Sequence, residues 1–133
     1  MRKVCALLAG FVLLAFPALA ADGEYLFDVL KKPAYKQAWT AMMASGKPPA
    51  WLTTFTRGGN GVSSPGEALT IEGQRYEFGN VCKPHDCGDN MFHVIFMPGG
   101  GRAWGVLMEN GALRYFGNPS PAQRAALEKS TGN

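Results

Sequence analysis

The sequence has 133 residues, enough for one domain, and its 13 lysines and arginines against 10 acidic residues give a formal net charge of +3. Two of the cations, Arg2 and Lys3, lie at the amino terminus, and the rest of the chain has no basic cluster. The charge therefore gives no support for nucleic-acid binding, and we expect a protein or a small molecule as the partner.

The first 20 residues have the pattern of a secretory signal peptide. A basic end precedes an apolar run over residues 4–16, and Ala18-Leu19-Ala20 matches the small-residue pattern that precedes a cleavage site. The apolar run is too short for a comfortable membrane span. We therefore predict cleavage after Ala20, export to the periplasm without a membrane anchor, and a single domain over residues 21–133.

Two helices are predicted at the start of this domain. Their apolar residues follow helical spacing: Tyr25, Leu26, Val29 and Leu30 in the first, and Tyr35, Ala38, Trp39 and Met42 or Met43 in the second. Pro33 suits the first turn of the second helix, and Gly46 is a natural end for it.

Residues 47–66 are predicted to be a connector between the helices and a sheet. Trp51 and Phe55 are expected to anchor the connector to the core. The glycine, serine, asparagine and proline content of residues 57–66 predicts a mobile loop there.

From residue 67 onward the hydrophobic period changes to two, which is typical of strands. Five strands are predicted in the segments EALTIEG, QRYEFGNVC, MFHVIFM, RAWGVLME and ALRYFG. Asn110-Gly111 is a strong hairpin signal, and the glycine-rich segment 98–101 lacks the Lys-Ser/Thr of a phosphate-binding loop, so we interpret it as a hairpin loop. Ser120-Pro121-Ala122-Gln123 matches a capping box with proline at the first position of a last helix.

These elements predict an α+β fold, with an antiparallel meander of about five strands and helices from both chain ends packed on it. The larger aromatic residues are expected to lie in the core: Trp39, Trp51, Phe78, Phe92, Phe96, Trp104, Tyr115 and Phe116. His93, in the middle of a predicted strand, is expected to be a half-buried structural residue with its ring nitrogens bonded.

Cys82 and Cys87 are the two cysteines that remain after removal of the signal peptide, and an even count in an exported chain favours a disulfide. A disulfide that closes so short a loop is expected to stabilise the protein by about 2 kcal/mol, and it constrains the loop itself more than the rest of the fold. Pro84 fixes its own φ and restricts Lys83. A polar tip restrained in this way is typical of a preorganised binding loop. A stabilised hairpin end without a partner is the alternative.

The same loop is a poor match to metal, redox or acid–base sites. A structural zinc site needs a second pair of ligands, and a redox dithiol has two intervening residues and a helix start. His85 and Asp86 are adjacent in a tight loop, and the sequence offers them no serine elbow, no spare cysteine and no glycine-rich helix start. We therefore predict no metal, no cofactor and no catalytic residue.

The segment Cys-Lys-Pro-His-Asp-Cys at 82–87 resembles the inhibitory loop of the inhibitor of vertebrate lysozyme (Ivy) family, and the segments PPAW at 48–51, RAWGVLM at 102–108 and LRYFGNPS at 113–120 support the resemblance. It implies a periplasmic inhibitor of C-type lysozyme, and not an enzyme, whose disulfide-closed loop enters the substrate cleft. In this chain His85 would meet the catalytic carboxylates. Lys83, Pro84 and Asp86 would shape or extend the contact.

A second hypothesis keeps the fold and changes the partner. In it the chain restrains an endogenous cell-wall lytic enzyme, such as a lytic transglycosylase, and does not inhibit animal lysozyme. The sequence leaves open whether the chain forms a homodimer.

Overall fold

The computed structural model describes residues 23–58 and 60–132, and the predicted signal peptide lies outside these ranges. Four helices and five strands follow in chain order: α1 (Leu26–Val29), α2 (Pro33–Ala44), α3 (Ala50–Phe55), β1 (Ala68–Ile71), β2 (Gln74–Cys82), β3 (Asn90–Phe96), β4 (Ala103–Glu109), β5 (Ala112–Phe116) and α4 (Pro121–Ser130). Each strand pairs antiparallel with the next, in the order β1-β2-β3-β4-β5. The predicted α+β meander is confirmed.

The first two helices form where the apolar spacing places them. Pro33 begins α2, where its missing N–H removes no hydrogen bond, and every predicted apolar position of that helix is buried. Within the described ranges, no helix has the length and apolar character needed to cross a membrane.

The prediction that residues 47–66 form a connector is wrong for part of its first half. Residues 50–55 form the short helix α3, in which Leu52 and Phe55 are buried. Six residues are too few to show a helical period, and the two threonines have modest helix propensity, so burial against the sheet stabilises this helix more than its local sequence does.

Strand alternation gives the sheet two apolar faces. One face packs against α1, α2 and α3 and includes Val81, Phe92, Val94 and Phe96. The other packs against α4 and includes Tyr76, Ile95, Trp104 and Val106. These are the faces that the period-two pattern predicts, and the predicted core aromatics lie in or against these two clusters.

The predicted β4–β5 hairpin and the start of α4 are also confirmed. Asn110 and Gly111 have φ of 50° and 81°, the positive pair that a tight hairpin turn requires. The Ser120 hydroxyl accepts a hydrogen bond from the Gln123 N–H at 3.2 Å, and the Gln123 side chain accepts one from the Ser120 N–H at 2.8 Å.

The register places the connections at two opposite ends of the sheet. Asn90 pairs with Glu109, so the β2–β3 loop and the Asn110-Gly111 turn lie together at what we call the loop end. Phe96 pairs with Ala103, so the glycine-rich loop 98–101 lies at the other end, the far end.

Candidate functional site

The tip of the β2–β3 loop is a tight turn formed by Lys83, Pro84, His85 and Asp86. The Asp86 N–H donates to the Lys83 carbonyl at 3.1 Å, which closes the turn. Proline in the second position with a positive φ in the third, 63° at His85, is the pattern of a type II turn. Glycine or asparagine is usual in that third position, because a side chain with a β-carbon is strained there by about 1–2 kcal/mol. The loop therefore holds a histidine at its apex in a conformation that the histidine itself disfavours.

A disulfide and the loop's own hydrogen bonds hold this turn in place. Cys82 and Cys87 are joined, with their Cα atoms 5.0 Å apart, so the predicted disulfide is confirmed. Below it, the Lys83 N–H donates to the Asn90 carbonyl at 3.0 Å and the Asn90 N–H donates to the Asp86 carbonyl at 3.0 Å. The Asp86 carboxylate also accepts from the Asn90 side-chain amide at 2.7 Å. Asp86 is thus a brace inside the loop.

Neighbouring segments support the base of the loop from both sides. Val62 and Cys82 exchange two backbone hydrogen bonds, of 3.0 and 2.8 Å, which adds a short bridge beside the end of β2. On the other side, the Asn110 N–H of the β4–β5 turn donates to the Asp89 carbonyl at 2.7 Å. The base of the loop is therefore anchored to two neighbouring segments, the one that carries Val62 and the β4–β5 turn.

The exposed side chains of the turn are those of Lys83 and His85, whereas Pro84 and Asp86 are half-buried. The Lys83 ammonium lies 3.7 Å from the Asp86 carboxylate, and a pair as exposed as this one adds little stability. Within the described ranges, the His85 imidazole makes no hydrogen bond to the rest of the chain, so both of its ring nitrogens can bond to a partner.

His93 has a different environment from His85. It is 9% exposed, and its Nδ1 lies 2.6 Å from the Ser130 hydroxyl oxygen. Since that hydroxyl donates to the Leu127 carbonyl, His93 Nδ1–H is the donor in the first bond. Burial lowers the pKa of His93 to about 4. His93 is a structural residue on the α4 side of the sheet, as predicted, but it is buried rather than half-buried, and a hydrogen bond within the described part of the chain is found at one of its ring nitrogens and not at both.

Across residues 23–58 and 60–132, the structure brings together no cluster of three metal-ligating side chains. Two features of the site were not predicted from the sequence. The positive φ of His85 has no signal in the sequence, because histidine is not the usual residue for that position. The predicted mobile loop at 57–66 is in its second half hydrogen-bonded to β2, where the Ser63 hydroxyl and the Ser64 N–H bond to Asn80 at 2.6 and 3.0 Å.

The family model and the named relatives that match this chain agree on one family. The family model for the inhibitor of vertebrate lysozyme (Ivy) matches residues 34–132. An inhibitor of vertebrate lysozyme from Pseudomonas aeruginosa is 33% identical, over 96% of this chain and 91% of that protein. An inhibitor of vertebrate lysozyme from Escherichia coli K12 is 28% identical over 64% of this chain and 51% of that protein, so this match spans about half of that relative.

Both named relatives are inhibitors, which agrees with the prediction that the chain is not an enzyme. The matched region contains the whole sheet, the loop 82–87 and α4. The chain belongs to the inhibitor of vertebrate lysozyme (Ivy) family.

Proposed function

We propose that this chain is a periplasmic inhibitor of C-type lysozyme that inserts the disulfide-closed loop 82–87 into the substrate cleft. The proposal rests mainly on the conformation and exposure of His85. Its side chain is exposed at the apex of a braced turn, and its backbone has a conformation that glycine would adopt more easily. The fold does not need a histidine there, so a role outside the fold accounts for it best. The names of the relatives supply the class of partner.

The chemistry of imidazole fits the proposed target. A lysozyme cleft holds one protonated carboxylic acid and one ionised carboxylate, about 5–5.5 Å apart in a retaining enzyme. A neutral imidazole accepts a hydrogen bond at one ring nitrogen and donates at the other, so His85 can bond to both groups at once. The loop offers no glycosidic bond for the enzyme to break, and the inhibition is therefore competitive.

The loop also has the rigidity that such an inhibitor needs. Ordering a flexible side chain or loop on binding costs free energy, and a disulfide, a proline and internal hydrogen bonds remove most of that cost before binding. In this proposal, Lys83 extends the contact as an exposed cation near the acidic cleft. Pro84 and Asp86 shape the turn.

Export is part of the same proposal, because the disulfide needs an oxidising compartment. We propose that the chain passes through the inner membrane by its signal peptide and is cleaved after Ala20. Intact-mass analysis of the exported protein tests both points. The expected mass is that of a chain beginning at Ala21 with two hydrogens fewer than the reduced form, and a mass that includes residues 1–20 would contradict the cleavage.

The inhibition itself is tested by titrating the protein into a cell-wall lysis assay with a vertebrate C-type lysozyme. Wild-type protein is expected to inhibit, and His85→Ala is expected to need at least about a hundredfold more protein for the same effect, as for a hydrogen-bonded residue at the centre of an interface. Gln37→Ala is the control, because Gln37 is exposed on α2 and distant in sequence from the loop. Equal inhibition by His85→Ala and wild type would overturn the role of His85.

The second hypothesis, an endogenous lytic enzyme as the partner, has its own outcome in this assay. If wild-type protein at micromolar excess leaves the vertebrate enzyme fully active, inhibition of animal lysozyme is excluded. The same titration against a lytic transglycosylase from the host's own cell wall would then identify the alternative partner.

A further inference from the structure

The loop end of the sheet exposes a large apolar side chain beside the proposed inhibitory loop. Val62 is 51% exposed, the highest value among the three large apolar side chains that are exposed in the described ranges; the others are Tyr25 and Phe27. Val62 pairs directly with Cys82, so its Cα lies within about one strand spacing, roughly 5 Å, of the residue that closes the loop.

Val62 is the exposed end of an apolar row. Directly paired residues of antiparallel strands point their side chains to the same face, and Cys82 pairs with Met91, which pairs with Met108. We call Val62, Cys82, Met91 and Met108 the apolar row. It lies on the α4 face, one row closer to the loop end than His93, which contacts Ser130, the last residue of α4. The apolar row therefore lies just beyond the part of this face that α4 covers.

The segment that carries Val62 is held firmly. Gly61 lies so close to the core that a β-carbon there would be 2.6 Å from the Phe55 ring and 2.7 Å from the Val81 side chain. On its other side, Ser63 and Ser64 bond to Asn80. An exposed apolar side chain on so fixed a backbone loses little entropy on binding, which is the property of an interface anchor.

The size of the loop shows why an anchor is needed. A stable protein interface usually takes about 20–30 residues and roughly 800 Å² from each partner. The loop between the last residue of β2, Cys82, and the first residue of β3, Asn90, has seven residues, 83–89, and part of their surface is used inside the loop. Loop insertion alone is too small for a tight inhibitor, so the enzyme must also contact the surface around the base of the loop.

We propose that Val62, with the apolar row behind it, is a second anchor of the inhibitory interface, and that it packs against an apolar or aromatic patch on the lysozyme surface beside the cleft. This inference rests on the proposed function, because the occupant is the same lysozyme that receives His85. Burial of Val62 adds affinity by removing apolar surface from water. His85 confers recognition of the catalytic groups, and Val62 slows dissociation.

Binding of purified, signal-free protein to an immobilised vertebrate C-type lysozyme tests the inference. Val62→Asp is expected to raise Kd at least about tenfold, mainly through faster dissociation. Val62→Thr keeps the β-branched shape and the backbone bridge, so it should fold as the wild type does, with Kd raised about threefold to tenfold. Phe27→Asp is the matched control: Phe27 is 45% exposed and belongs to α1, on the opposite face of the sheet, and its Kd should equal that of the wild type.

The outcomes separate this inference from the proposed function. If His85→Ala weakens binding while both Val62 variants stay within about twofold of the wild type, the Val62 anchor is overturned and the proposed function stands. Equal weakening by Val62→Asp and Phe27→Asp also overturns it, since the effect would then be one of charge alone. Wild-type protein that does not bind the enzyme overturns both. If Val62→Asp does not fold, Val62→Thr decides alone: an unchanged Kd rejects the anchor.

Discussion

The two ends of the sheet both have a turn with positive φ, but different residue types occupy the positive-φ positions. At the far end, the loop 98–101 turns with positive φ at Gly99 and Gly100, 86° and 78°, where glycine is unstrained. At the loop end, the turn 83–86 places a positive φ of 63° on His85. The far-end turn has the residues that stability favours. The loop-end turn has a histidine where glycine would be more stable. This difference distinguishes a turn whose residues serve the stability of the fold from a turn whose residue serves the proposed binding function.

The contacts of the two turns support this distinction. The Gly99 N–H donates to the Tyr35 hydroxyl at 3.0 Å, and that hydroxyl donates to the Glu77 carboxylate at 2.5 Å, so the far-end loop is joined to α2 and β2. Burial, and then the bond to Glu77, raise the pKa of Tyr35. Within the loop-end turn, the hydrogen bonds are made by backbone groups and by the Asp86 side chain, while the His85 side chain is exposed to solvent.

The largest expected effect on stability is at the far end. A β-carbon on Gly100 would lie 2.8 Å from both the Tyr35 ring and the Tyr35 backbone nitrogen, in a backbone conformation that alanine disfavours. Gly100→Ala is therefore expected to lower the free energy of unfolding by about 3 kcal/mol. Gly99→Ala, with the same kind of φ but open space around it, should lose about 1–2 kcal/mol. Urea unfolding measures both, and equal losses would refute the packing role of Gly100.

The next largest expected effect is a loss of stability at acid pH, which we assign to His93 in the sheet and not to His85 in the loop. The pKa of His93 is lowered to about 4 by burial, so the folded state favours the neutral ring. The stability that this gives is fully present above the ordinary histidine pKa of about 6.5 and is lost as the pH falls from there towards 4, by about 3 kcal/mol. Urea unfolding at several pH values is expected to show a slope in this range for the wild type and a smaller one for His93→Gln. The same slope in both proteins would contradict the assignment to His93.

Removal of the disulfide should affect the loop end more than the fold. Cys82→Ser with Cys87→Ser is expected to lower the free energy of unfolding by about 2 kcal/mol, because the closed loop is short. The same double variant is expected to lose inhibition by a much larger factor than this modest stability change suggests, since the turn that presents His85 is no longer closed. A folded double variant that inhibits as well as the wild type would show that the disulfide does not preorganise the site.

The smallest expected change in stability tests the backbone conformation of His85 alone. His85→Gly removes the strain of the positive φ, so the variant should be at least as stable as the wild type, with a gain of up to about 1 kcal/mol. His85→Ala keeps the strain and should be close to the wild type. Thermal and urea unfolding compare the three proteins. A clear loss of stability in His85→Gly would mean that the imidazole supports the fold, and the contrast between the two turns would then be wrong.

The parts of the fold that were predictable from sequence are those with a local cause. The period-two alternation of β2 and β3 assigned Val81 and Phe92 to one face, and Asn110-Gly111 and the Ser120–Gln123 box set their turn and helix start. Helix α3 was missed because its stability comes from burial rather than propensity. The bridge between Val62 and Cys82 joins residues twenty apart in a segment without periodicity, so no local rule could find it.

For the candidate site, the sequence predicted the disulfide and the stiffness of the turn, since both follow from Cys82, Cys87 and Pro84. It did not predict that Asp86 would brace the loop from inside, because that depends on where β3 begins and brings Asn90. Nor did it predict the backbone of His85, which only the closed geometry of the turn imposes.

Because the chain has two histidines, one on the loop and one on the sheet, NMR can test the central claim directly. In isotope-labelled protein, the imidazole signals are assigned with His85→Ala, and unlabelled vertebrate C-type lysozyme is then added. We predict that the His85 ring signals shift strongly at saturation while those of His93 stay in place, because His85 enters the catalytic cleft and His93 remains bonded to Ser130. A saturated complex in which the His85 signals do not change would contradict the account.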